Sequence, residues 1–185
     1  MKNDFNFCPK CGGRSVKNFN NRKWLCSDCG YELYCNIAAA VGVIIYDDDG
    51  NILFEIRAKN PRKGFLALPG GFVDADESAE QAVVRECKEE LGVEISDVHF
   101  LCSNPNTYEY REVEYKTCDI FFTAKLSSNF KNIDDFIKSL KTQESEVSGL
   151  VAKKVLTSDD VDALPLAFGS AVKTLKKWLE AKNDL

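Results

Sequence analysis

Residues 71–93 read Gly-Phe-Val-Asp-Ala-Asp-Glu-Ser-Ala-Glu-Gln-Ala-Val-Val-Arg-Glu-Cys-Lys-Glu-Glu-Leu-Gly-Val, a glycine turn ahead of a short helix. Glu86, Glu89 and Glu90 stand at i, i+3 and i+4, so a 3.6-residue period gathers three carboxylates on one face. Like charges at this spacing repel by roughly 0.2–0.5 kcal/mol per pair. A hard divalent cation would reverse the sign. Asp74 and Glu77 have the spacing of a capping box, and Gly92 sits where a left-handed C-cap belongs. Ala79, Ala82, Val83, Cys87 and Leu91 form an apolar stripe, so the helix can pack while its acids face a cleft. Taken alone, Glu-x-x-Glu-Glu also suits an ordinary solvated face.

The whole string says more. Gly71, five residues, Glu77, seven residues, Arg85-Glu86, Cys87, Lys88, Glu89-Glu90, Leu91, Gly92 and Val93 resembles the signature of the Nudix hydrolases, with Cys87 where that family usually has a larger aliphatic. The resemblance runs over residues 36 to about 180 and implies an α/β (α+β) fold, a Nudix α/β/α sandwich with a mixed sheet, over residues 36–185. The flanking pattern agrees. Residues 37–46 read as a strand, 47–51 as a hairpin turn and 52–57 as the return strand. Residues 64–71 approach the box as a short strand ending in a glycine turn, where the backbone must come close to a metal or phosphate. Residues 93–101, 114–126 and 147–155 read as further strands, and 127–148 as a long irregular connection. Residues 165–182 form an amphipathic closing helix with Pro165 at its start.

In front of this segment, Cys8-Pro-Lys-Cys11 and Cys26-Ser-Asp-Cys29 make two CxxC knuckles fourteen residues apart. Four thiolates from two tight turns can close a tetrahedral Zn²⁺ site, so residues 1–35 read as a small zinc ribbon. Four Cys ligands leave no open position, which makes that zinc structural. The sequence holds no apolar run of about 18 residues, so a reducing cytoplasm is the expected compartment, where disulfides are disfavoured. Cys35, Cys87, Cys102 and Cys118 are expected as buried thiols, and the sole histidine, His99, as a structural residue. A formal net charge of −5 argues against broad nucleic-acid affinity. A capped RNA end is the exception kept open, and no membrane partner is expected.

The Nudix resemblance implies hydrolysis of a nucleoside diphosphate linked to another group, by water activated with Mg²⁺ or Mn²⁺. By that match Glu86, Glu89 and Glu90 are metal ligands, helped by a main-chain carbonyl at Gly70 or Gly71. Arg85 orients the glutamates, with Glu77 holding it. The later region adds a carboxylate to the site, Glu146 first and Glu144 next, and the general base is Glu89 or Glu146. A homodimer is common in the family.

A zinc ribbon joined to such a domain is similar to the NADH pyrophosphatases, which also remove NAD caps from RNA. Their Ser-Gln-Pro-Trp-Pro-Phe-Pro-x-Ser stretch corresponds here to residues 103–110, Ser-Asn-Pro-Asn-Thr-Tyr-Glu-Tyr, which lacks the Trp and Phe. Tyr108, Tyr110 and Phe65 are the candidates to hold the substrate. NADH or NAD⁺, ADP-ribose, another dinucleotide or a nucleoside triphosphate all remain compatible. The non-enzymatic alternative is a nucleotide-sensing or nucleic-acid-docking module.

Overall fold

The computed structural model describes residues 5–110, 113–126, 129–140 and 145–183, without the side chains of Tyr110 and Asn183. The chain divides into two compact units, residues 1–37 with 107–116, and residues 38–106 with 117–185.

In the first unit, β1 (Val16–Phe19), β2 (Lys23–Cys26) and β3 (Glu32–Tyr34) form an antiparallel sheet. Asn20 and Asn21, both at φ 55°, turn β1 into β2, a conformation asparagine tolerates better than most residues. Period-two alternation puts Val16, Trp24, Cys26 and Leu33 on one side, around a small cavity shared with Phe5, Pro9 and Tyr31. Phe5 meets the Trp24 ring edge-on at 5.0 Å.

The second unit is built on β4 (Ala38–Tyr46), β5 (Asn51–Arg57), β6 (Leu66–Ala67), α1 (Ala79–Leu91), the first part of β7 (His99–Tyr110), the last part of β8 (Val113–Lys125), α2 (Ile133–Ser139), β9 (Val147–Lys154), α3 (Ser158–Ala163) and α4 (Gly169–Asn183), residues 107–116 of β7 and β8 belonging to the first unit. The sheet order is β6-β5-β4-β8-β7, with β9 also on β5. It is mixed, because β4 and β8 run parallel while β5 pairs antiparallel with β4, β6 and β9. Alternation on the central strands separates two cores. Val41, Val43, Ile45, Leu53 and Phe122 face α1 and α2, whereas Ile44, Ile52, Phe54 and Phe121 face α3 and α4. This is the expected sandwich. Among the described residues, no helix is long and apolar enough to cross a membrane.

One irregularity positions the acidic helix. β4 and β5 pair only at Tyr46 and Ile52, beside their hairpin, and then part. β6 lies on β5, after which the chain crosses to β4, where Pro69 and Gly71 carbonyls accept from Val43 and Val41 and Val73 N–H donates to Ala39. The glycine turn therefore bridges the gap between the two strands. Asp47 secures the hairpin at the far end: its carboxylate accepts from the Asn51 backbone and side chain and from Ile133 N–H at the start of α2.

Several expectations need correction. The N-cap of α1 is Ser78, boxed with Gln81, because Glu77 instead takes the Asp74 N–H at 2.7 Å and turns to Arg85. Gly92, by contrast, is the left-handed C-cap as expected, at φ 69°. Residues 93–98 are not a strand; β7 starts at His99. The connection 127–148 contains α2, capped by Asn132 and anchored by buried Ile133 and Phe136. Pro165 does not start the closing helix, since its carbonyl accepts from Leu66 N–H and Leu166 bridges Leu66. α4 begins at Gly169, with the Ser170 hydroxyl bonded to Asp119 on β8. Of the four other cysteines only Cys87 is buried; Cys35, Cys102 and Cys118 are half-buried. His99 is solvent-facing, 4.0 Å from Asp97.

Candidate active site and cysteine cluster

The acids of α1 meet the glycine turn directly. Gly70, at φ 142°, lies so close to β4 that a Cβ would run into the Val41 carbonyl. At Gly71 a Cβ would instead collide with the Glu86 carboxylate. Glycine is required at 70, where a side chain would run into the β4 backbone, whereas at 71 a side chain would displace the Glu86 carboxylate from its place against the turn. The Gly70 N–H donates to Glu90 Oε2 at 2.9 Å.

The three glutamates differ in setting. Glu90 is 7% exposed. Burial pushes its carboxyl up, the Gly70 N–H pulls it down and Glu86 pushes it up again, leaving it at about 8. Glu86 is also raised, by burial first, against the pull of Arg85 and with added repulsion from Glu89 and Glu146. Glu89 is solvent-facing, with an oxygen 3.5 Å from Arg85 Nη1. Arg85 ties the arrangement together: it reaches both Glu77 oxygens, at 2.6 and 3.1 Å, Glu86 at 3.0 Å and the Phe72 carbonyl at 2.9 Å.

Glu146, immediately before β9, is near enough to raise Glu86 and Glu90 electrostatically. Its backbone carbonyl accepts from Ala58 N–H at 2.8 Å, and its side chain pairs with Lys59 at 3.2 Å. Glu144 lies outside the described residues. Phe65 is exposed, with the Arg62 guanidinium 5.9 Å from its ring. Tyr108 is half-buried on β7, and the side chain of Tyr110 is outside the described set.

Glu55 is absent from the sequence reading. It lies inside β5, 5% exposed, opposite Ala67 and Leu150. Burial, followed by Glu90, raises its carboxyl well above the ordinary range. Its Oε1 is buried with no hydrogen-bond partner among the described residues. Two adjacent carboxyls can bond to each other only by sharing a proton, so the pair is held protonated or needs a cation. The available signal was an acid at an inward position of an otherwise apolar strand, Ile-Leu-Phe-Glu-Ile.

Among the described residues, one group of potential ligands has its donor atoms all within 4.8 Å: Cys8, Cys11, Cys26 and Cys29. Sulfur separations of 3.8 Å (Cys8–Cys29) and 3.7 Å (Cys11–Cys26) match the edge of a tetrahedron with Zn–S bonds of about 2.3 Å. Burial pushes the Cys8 thiol up, but backbone N–H groups at Cys11 and Lys10 outweigh it and bring it down to about 7. At Cys11 the Gly13 backbone pulls down, yet the neighbouring sulfurs drive the thiol up to about 12. A dication that makes all four thiolates favourable removes that conflict. The carboxylates around α1 are the hard oxygen donors a Mg²⁺-type ion takes.

A helix of acids set against a glycine turn in a mixed-sheet sandwich defines a class, and the comparisons agree. The NUDIX domain model matches residues 36–178, and the chain belongs to that family. The chain is 35% identical over 107 residues to a NAD-capped RNA hydrolase NudC of Vibrio atlanticus, covering 57% of this chain and 38% of that protein. It is 54% identical over 63 residues to an ADP-ribose pyrophosphatase of Methanocaldococcus jannaschii, covering 34% and 37%. The chain thus spans well under half the length of these two relatives. Among solved structures, a NUDIX hydrolase from Nitrosomonas europaea aligns over 96% of this chain and 92% of its own, with TM-score 0.60 at 20% identity. The NUDIX domain of Shewanella oneidensis NrtR, complexed with ADP ribose, aligns over 80% and 88%, with TM-score 0.57 at 24% identity. These last two likenesses concern the fold.

Proposed function

We propose that this chain is a Mg²⁺- or Mn²⁺-dependent hydrolase of the pyrophosphate bond in a dinucleotide or ADP-ribose-type substrate. The observation that carries the reading is the burial of Glu86 and Glu90 against Gly70 and Gly71, under the Arg85 clamp, in the segment that matches the family. Glu86, Glu89 and Glu90 would hold the catalytic dication with help from the Gly71 backbone. When bound, that ion supplies charge neutralisation for the substrate phosphates and lowers the pKa of an attacking water.

The chain's own groups divide the remaining work. Arg85 fixes the position of Glu86 and keeps the box turn on the helix. Glu89 and Glu146 are the solvent-accessible carboxylates assigned to take the proton from water, with side chains 54% and 49% exposed. Attack at phosphorus forms one P–O bond and breaks the bridging P–O bond, giving two phosphomonoesters. Phe65, Tyr108 and Tyr110 are the aromatic candidates for the base or nicotinamide. Cys8, Cys11, Cys26 and Cys29 would hold a structural Zn²⁺.

The test is a hydrolysis panel with Mg²⁺ and Mn²⁺ on NADH, NAD⁺, ADP-ribose, diadenosine polyphosphates and nucleoside triphosphates, with Glu89→Gln and Glu90→Gln as controls. Turnover of NADH or ADP-ribose that is lost in Glu90→Gln supports the reading. Metal-dependent turnover confined to nucleoside triphosphates would shift the substrate class. No turnover on any compound would leave a nucleotide sensor.

A further inference from the structure

The outer face of the three-stranded sheet gathers exposed rings and cations in one place. Register places Phe19, Lys23 and Tyr34 in one row across β1, β2 and β3. Phe19 and Tyr34 are 47% and 57% exposed, and the Lys23 ammonium lies 5.8 Å from one ring and 5.9 Å from the other. Glu32 fixes this row by accepting from Lys23 and from the Tyr34 hydroxyl, each at 2.8 Å. Two residues along β1, exposed Lys17 shares the face of Phe19. A second exposed pair, Phe7 under Arg14 at 4.9 Å, repeats the combination of aromatic face and cation.

Exposed rings on a small sheet keep apolar surface in water, which is unfavourable, so a ligand with flat faces is the natural complement. Charge selects which one. The unit of residues 1–37 with 107–116 holds eight Lys and Arg against six acids, whereas the rest of the chain holds 16 against 23. The unit that carries these rings is therefore net positive on an otherwise anionic protein. The row also stands three residues from Cys26, about 10 Å along the strand from the thiolate cluster and its negative charge. Unstacked bases joined by phosphates match both properties, because a base stacks on an aromatic side chain whatever its sequence.

We propose that the Phe19–Lys23–Tyr34 face binds single-stranded RNA, the body of a capped transcript whose 5′ dinucleotide is the substrate of the Nudix domain. The choice of RNA rests on the proposed function; the face itself rests on register, exposure and charge. Phe19 and Tyr34 act as stacking platforms, with Lys23, Lys17 and Arg14 meeting phosphates. The face reads no sequence, and duplex RNA, whose bases are already stacked, binds it poorly.

Fluorescence anisotropy of the full zinc-loaded chain with a 5′-labelled, unstructured 12-nucleotide RNA tests this directly. Wild type should bind with affinity that falls as salt rises, and Phe19→Ala/Tyr34→Ala should weaken binding at least tenfold. Lys23→Gln should weaken it less and lower the salt dependence. Zinc content and Trp24 fluorescence confirm that each variant folds. NADH hydrolysis should be unchanged in all of them, while KM for an NAD-capped RNA rises. Absence of RNA binding by wild type, equal binding by the double variant, or tighter binding of the matching DNA or duplex would overturn the proposal. So would a change of native mass in the double variant without loss of RNA, which marks a protein contact. Loss of NADH turnover with RNA binding intact would strike the proposed hydrolase and leave the face standing.

Discussion

Arg85 and Glu77 form a two-pronged ion pair, Nη2 to Oε1 at 2.6 Å and Nε to Oε2 at 3.1 Å, which joins the loop before α1 to the middle of that helix. Glu77 holds the guanidinium above its ordinary pKa, and Arg85 holds the Glu77 carboxyl below its own. Only a guanidinium can offer both prongs while also bonding Glu86 and the Phe72 carbonyl.

Arg85→Lys should therefore lower kcat by about 10–100-fold, as loss of a group that orients metal ligands does, and weaken apparent Mg²⁺ affinity. Glu77→Gln should reproduce most of the loss. Initial rates against Mg²⁺ concentration check this; an Arg85→Lys enzyme with wild-type kcat and metal dependence would remove the clamp from the account.

The paired carboxyls set a pH dependence in the metal-free protein. Glu90 titrates at about 8 in the fold instead of 4.5, chiefly through burial, and Glu55 is raised in the same direction for the same reason. The folded state keeps protons that the unfolded chain has released, so the pair's contribution to stability is full below pH 4.5 and is lost as pH rises toward 8. Carboxyls held below their ordinary range, among them Asp47, Glu77 and Asp160, act in acid, below that window. Thermal melts of the zinc-loaded, Mg²⁺-free chain should show Tm decreasing from about pH 5 to 8, by an amount on the order of a few kcal/mol in stability. Glu55→Gln should flatten the slope, and Mg²⁺ should raise Tm more at pH 8 than at pH 6. A Tm that climbs over this range, unaffected by Glu55→Gln, would show the pair to be ionised.

Zinc removal should act on one unit. Trp24 lies beneath the cysteine cluster and the other tryptophan, Trp178, is buried in α4. In a Trp178→Phe background, a strong chelator or Cys26→Ser should shift Trp24 emission to the red. NADH hydrolysis in excess Mg²⁺ should persist. An unshifted Trp24 spectrum on complete zinc loss would mean the ribbon folds without metal.

Local chemistry made some parts legible in the sequence. The Asp47 hairpin, the glycine turn and the left-handed Gly92 cap each follow from residues within a few positions of one another, and the four cysteines from their spacing. The sandwich was implied by the resemblance of the box to the Nudix signature, with the strand pattern around it in agreement. What escaped depends on partners distant in sequence. α2 is short and mostly polar, and it forms because Ile133 and Phe136 reach the core of α1 while Asp47 takes the Ile133 N–H. Pro165 looked like a helix start, but pairing with Leu66 holds that segment extended. Glu55 read as a strand residue because only the fold brings Glu90 beside it. The three box glutamates were visible as a set, whereas their unequal burial was not.

The central claim is that the acids on α1 make this chain a pyrophosphate-cleaving hydrolase. Its most direct measurement is mass spectrometry of the nucleotides formed from NADH or ADP-ribose in ¹⁸O-water with Mg²⁺ or Mn²⁺. The account expects a mononucleotide product carrying one ¹⁸O on phosphorus, formed only with a divalent cation and reduced by orders of magnitude in Glu90→Gln. No labelled mononucleotide with either ion, or equal yield from Glu90→Gln, would contradict it.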